Sequence, residues 1–314
     1  MKKLLSILGI SVCLLIFSAC STNYVEQEPI NVQEVTQGYA DLQANIKGLN
    51  SSYETPQTRG FLGKLFKKIL KVFVSDCVGA IKGAIQGNNI WQSAQGASAA
   101  VGITKEKDEN KTSDVEITYS VTLKDYATDK DTTITQILQP KPIALQNIIL
   151  TGDSTTSNFN DSIGYYHNTV IYSLFEKNND LNYWKGVSNY ACVLEINKEI
   201  INTIPTTTYS DTIVSPETLK FCDFISNKSL ECQDYKELLN ACAVQYPELK
   251  NMMETTTGFF EGMEQVTTDE EWEQYCKDVI KLISKSNIPE SDKDALKKGI
   301  SVGYASSKLW KFEE

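Results

Sequence analysis

Between Arg59 and Gly87 the chain permits few structures. Phe61, Leu62, Leu65, Phe66, Ile69, Leu70 and Phe73 recur at spacings of three and four, and Lys64, Lys67, Lys68 and Lys71 recur at the same spacing on the other side. This is the pattern of a helix with one apolar and one cationic face. Asp76-Cys77-Val78 then lead into Gly79, Gly83 and Gly87, four apart and therefore on one side of a helix. A glycine costs about 1 kcal/mol per helical position relative to alanine, so a run in register needs a packing reason. Bare backbone lets a second helix approach closely, either in a tight soluble helix pair or in a membrane. Lys82, Gln86, Asn88, Asn89, Gln92 and Gln95 interrupt the segment, and its hydropathy falls short of a transmembrane helix. The cationic face has two readings. It belongs to a core helix whose lysines are solvated, or it meets an anionic membrane surface or an acidic groove.

The N-terminus carries its own signal. Lys2 and Lys3 precede an apolar run from Leu4 to Phe17, which ends in Ser18-Ala19-Cys20. A basic start, a short apolar stretch and small residues before a cut form a secretory leader, here residues 1–19. Phe17-Ser18-Ala19-Cys20 resembles a bacterial lipobox, which implies cleavage before Cys20 and acylation of its thiol. Several acyl chains anchor stably where one binds only marginally. Loss of Lys2 and Lys3 with the leader takes the net charge from −10 to −12. That acidity argues against a nucleic-acid partner. Cys77, Cys192, Cys222, Cys232, Cys242 and Cys276 remain, with no C-x-x-C pair, so zinc and thioredoxin-type chemistry have little support. An oxidising compartment permits disulfides among them, and buried free thiols are the alternative.

The remaining chain divides by pattern. Residues 20–58 read as the lipidated Cys20 and a polar tether, with room for a helix near Val32–Leu49. Residues 59–103 are the basic amphipathic and glycine-ladder segment. Residues 104–150 form a small β element, because Val115, Ile117, Tyr119, Val121 and Leu123 alternate with polar residues and Thr132–Leu138 is β-branched. Residues 151–314 read as helical, with helices over 161–175, 187–204, 216–226, 230–244, 268–286 and 290–310. The expected class is mainly α, or α+β with a small β-hairpin, as a helical body behind a flexible, lipid-anchored tether.

The chain has one histidine, so no multi-histidine metal centre can form, and no cofactor motif is present. Asp161 fits the N-cap of a helix on which Ile163, His167, Val170, Ile171 and Leu174 share a face. His167 thus points inward, as a bonded core histidine or as the only available imidazole catalyst. There is no Gly-x-Ser-x-Gly elbow to supply a serine nucleophile. The adjacent acids Glu270–Glu271 and Asp129/Asp131 fit solvated surface better than a paired-carboxylate site. Tyr183, Trp184 and Tyr190 fit an aromatic core or a sugar-stacking patch.

Asp161-Ser162-Ile163-Gly164-Tyr165-Tyr166-His167-Asn168 and Ser301-Val302-Gly303-Tyr304-Ala305-Ser306-Ser307-Lys308-Leu309-Trp310 together resemble motifs of secreted or lipid-anchored Bacteroidetes proteins. In that group a glycine-rich segment precedes the histidine motif. The resemblance implies a cell-envelope location, with lipid anchoring at the outer membrane on its periplasmic or surface face. It carries over no catalytic residue. Three functions follow: a non-enzymatic interaction or structural lipoprotein with a membrane anchor and a protein partner, a membrane-active factor working through residues 59–103, and a hydrolase using His167.

Overall fold

The computed structural model describes residues 32–53, 62–85, 90–102, 120–122, 133–135, 140–142, 162–177, 187–204 and 214–312. Among the described residues there are ten α-helices: α1 Val32–Tyr53, α2 Leu62–Ile85, α3 Ile90–Gly102, α4 Ile163–Lys177, α5 Asn189–Thr203, α6 Pro216–Glu231, α7 Tyr235–Gln245, α8 Lys250–Met263, α9 Asp269–Lys285 and α10 Glu290–Leu309. Short antiparallel pairings join β1 Ser120–Thr122 to β2 Thr133–Thr135, and β3 Pro140–Pro142 to β4 Trp310–Phe312. Pairings of three residues supply no β layer of their own. The body is mainly helical, and the α+β alternative is not what its packing displays. Most of the stretch expected to be β, from 104 to 150, lies outside the described residues.

Local chemistry accounts for several helix ends. Thr268 Oγ1 accepts from the Glu271 backbone N–H at 3.1 Å, while Glu271 Oε2 accepts from the Thr267 N–H at 2.8 Å. Asp269, Glu270 and Glu271 fill the first turn of α9 and Lys285 its last, which complements the helix dipole. Its apolar stripe of Trp272, Tyr275, Cys276, Val279, Ile280 and Ile283 is buried. At α6, Ser215 caps the start and Pro216 occupies the first turn, where its missing N–H costs nothing.

The order of packing places α2 at the centre, with α10 along one flank and α3 along the other. Helix α4 packs on α10 and α5, α5 and α6 pack on α3, and α1 lies against α8 and α9. Gly79 of α2 meets Ser93 of α3, and Asp76 meets Ser98. These pairs run in opposite chain directions, so α2 and α3 are antiparallel.

Two features go beyond the pattern reading. The helix for which the polar stretch 20–58 left room near Val32–Leu49 is α1, Val32–Tyr53, and it packs into the core. Tyr39, Leu42 and Ile46 of α1 are buried, each burial being worth roughly 1.5–3 kcal/mol. Polar bonds fix its register: Tyr39 Oη donates to Asp292 Oδ2 at 2.8 Å, Asn50 Nδ2 donates to the Gly258 carbonyl at 2.9 Å, and Tyr275 Oη donates to Asn50 Oδ1 at 2.7 Å. Helix α8 is the second difference, having no counterpart in the pattern reading. Thr255, Thr256, Thr257, Gly258 and Gly262 weaken its helical propensity. Tertiary contact compensates, with Phe259 and Phe260 packed among Tyr235, Trp272 and Tyr275.

Candidate functional site

Helix α2 spans both the amphipathic segment and most of the glycine ladder. Its described side chains from Ile69 to Lys82 are buried, except for the half-buried Lys71. Lys71, one of the lysines read as candidates for a membrane surface, is bonded within the body. Its Nζ donates to the carbonyls of Ser229 and Cys232 at 2.8 and 3.1 Å, closing the C-terminal end of α6. Cations are favoured at that end of a helix dipole, which is why a lysine satisfies it. Lys82 is also turned inward. Its Nζ lies 4.7 Å from the Tyr246 ring centroid and 5.6 Å from that of Phe221. The side chains of Lys64, Lys67 and Lys68 lie outside the described residues, as do Cys20, Gly87, Asp161, Tyr183 and Trp184.

The glycine face is closed. A Cβ at Gly79 would stand 2.4 Å from the Ser93 carbonyl oxygen, and one at Gly164 2.4 Å from the Ser301 carbonyl oxygen. Gly83 is buried as well. Gly164 belongs to the histidine motif and Ser301 to the tail motif, so these two stretches are packed against each other. Asn168 Nδ2 reinforces this contact by donating to the Ala305 carbonyl at 2.8 Å.

These approaches enclose a cluster of polar groups around Asp76, the only acid between Glu54 and Glu106. Asp76 is fully buried. Its Oδ2 accepts from Ser306 Oγ at 2.5 Å and from Ser98 Oγ at 3.2 Å. His167 Nε2 stands 3.8 Å from the same oxygen, beyond a direct hydrogen bond. His167 Nδ1 lies 3.1 Å from Asn168 Oδ1. Since the Asn168 amide nitrogen faces Ala305, its oxygen faces the imidazole and accepts from Nδ1–H. Thus α2, α3 and α10 each contribute one polar side chain, and α4 two, to a closed interior point. Trp310, directly after α10, adds an indole N–H that acts on Asp76 while having no hydrogen-bond partner of good geometry.

Burial dominates the electrostatics. It holds the Asp76 carboxyl well above the usual carboxylate range, although the Ser306 and Ser98 hydroxyls and the Trp310 N–H pull the other way. Burial also lowers His167 to about 4, against a smaller raising effect from Asn168. Charge transferred into a dry interior without a counter-ion is costly, so burial favours the neutral form of each group, and His167 is neutral at pH 7.

This chemistry does not suit hydrolysis. Both serine hydroxyls point at the acid rather than at the imidazole, so neither is aligned to lose its proton to His167. The Cys192 and Cys242 thiols are pushed up to about 12 by burial, and Cys77, Cys222 and Cys276 are raised by the same cause. Buried thiols of this kind are inert. The six described cysteines are all unpaired. Among the described residues no group of histidine, cysteine and acidic side chains could hold a metal ion.

Asp76, Ser98 and Ser306 were not identified as a site from the sequence. The available signal was a solitary acid inside an apolar helix with no basic residue one turn away to neutralise it. Tyr190, one of the proposed stacking aromatics, is exposed. No family model, curated protein or solved structure matches the chain.

Proposed function

We propose that the chain is a lipid-anchored cell-envelope protein, tethered through Cys20, whose helical body is a non-enzymatic interaction or structural module. The observation that carries this reading is the burial of the Gly79 face against Ser93 and Ala94 inside the body. Over its described side chains, Ile69 to Lys82, the helix is committed to contacts within the body, which favours a packing role over insertion. Among the described residues, no helix is long and apolar enough to cross a membrane. The closed setting of His167 supports a structural histidine over a hydrolytic one. The small β element at 104–150 belongs to the same proposal, as a peripheral addition to the helical body.

Two measurements test it. Fractionation of host cells should find the wild-type chain with membranes and Cys20→Ser in the soluble fraction. Unchanged membrane association of the variant would sink the anchor. The purified Cys20→Ser chain, added to dye-loaded anionic vesicles, should release no dye. Leakage by the folded protein would restore the membrane-active reading of residues 59–103.

A further inference from the structure

We propose that Asp76 Oδ1, His167 Nε2 and Trp310 Nε1 hold one ordered water molecule in a closed site at the junction of α2, α4 and the end of α10. All three atoms are buried without a hydrogen-bond partner, and their residues are between 0% and 1% exposed. A buried polar atom left unpaired loses its hydration with nothing in return, so three at one junction make a strong case for an occupant.

The chemistry of the site selects the occupant. His167 Nδ1 donates to Asn168 Oδ1, because Asn168 Nδ2 is committed to the Ala305 carbonyl. The neutral ring therefore presents a lone pair at Nε2 and requires a donor. Asp76 Oδ2 already accepts two serine hydroxyls, which leaves Oδ1 to the occupant. Trp310 Nε1 can only donate. The occupant must accept from the indole, donate to Nε2 and pair with Oδ1. An anion would have nothing cationic to meet here, since the site contains no lysine or arginine. A cation would face the indole N–H and serine hydroxyls whose protons are directed at Asp76. A small neutral molecule that both donates and accepts fits, and in a closed site that is water. Three hydrogen bonds is the usual complement of a buried water. His167 Nε2 stands 3.8 Å from Asp76 Oδ2, too long for a direct bond, so the carboxyl does not itself satisfy the ring.

The test is water–protein cross-relaxation in the full-length folded protein, read at the Trp310 indole proton and assigned by its loss in Trp310→Phe. A cross-peak at the water frequency is expected, and it should persist in Ser98→Ala and Ser306→Ala, which remove the hydroxyls that could relay it. A folded protein without that cross-peak, or with one that disappears in a folded serine variant, overturns the proposal. A second readout needs no substitution. The protein has one histidine, so its two ring nitrogens give unambiguous ¹⁵N shifts at pH 7. Protonated Nδ1 with bare Nε2 is expected, and the opposite tautomer or a charged ring overturns the site. Neither readout depends on Cys20, so membrane anchoring can fail without affecting this result.

Discussion

Burial moves Asp76 and His167 in opposite directions, so their contributions to pH-dependent stability oppose each other. A carboxyl raised in the fold favours the folded state below its unfolded value near 3.9 and loses that advantage as pH rises through its folded value. An imidazole lowered to about 4 favours the fold above about 6.5 and loses that advantage on acidification. Urea denaturation at pH 5, 6 and 7 should therefore show the wild type losing stability relative to Asp76→Asn as pH rises; parallel curves would refute it. Two glycines give a matched comparison at the same scale. Gly164→Ala places a methyl 2.4 Å from the Ser301 carbonyl oxygen and should cost about 1–3 kcal/mol. Gly48→Ala on α1 meets nothing within 4 Å and should gain about 0.5–1 kcal/mol. Thermal melts of the two variants check the signs.

At the level of elements, the informative cases are α1 and α2. The length and helicity of α2 were legible, because its apolar spacing and its glycine spacing both have the period of a helix. The fate of its lysines was not. Periodicity marks two faces of a helix but not what covers the second one, and here the end of α6 covers Lys71 while aromatic rings cover Lys82. Room for α1 was legible near Val32–Leu49, but its burial was not, because it is polar on most of its surface and only a narrow stripe of Tyr39, Leu42 and Ile46 is buried. Leu42→Ala should therefore destabilise the whole body by about 2–5 kcal/mol, as a core truncation does. The urea midpoint measures this; an unchanged midpoint would mean that α1 is dispensable to the fold.

On the scale of the whole molecule, one buried network spans the chain from Tyr39 to Trp310. Its mainly helical class could be read from the sequence, because periodic apolar stripes, capping residues and acid-first, base-last charge placement are local properties written within a dozen residues. Asp161, His167 and the tail around Trp310 could be picked out as motifs for the same reason. Their meeting with Asp76 and Ser98 could not. That meeting depends on contacts between residues as much as 234 positions apart, made possible where Gly79 and Gly164 let backbones close to a methyl's width. Local pattern determined which segments are helices and which faces are apolar. Tertiary packing alone decided that the glycine-lined part of α2 lies in the interior, and that a lone acid and a lone histidine share a site closed to solvent.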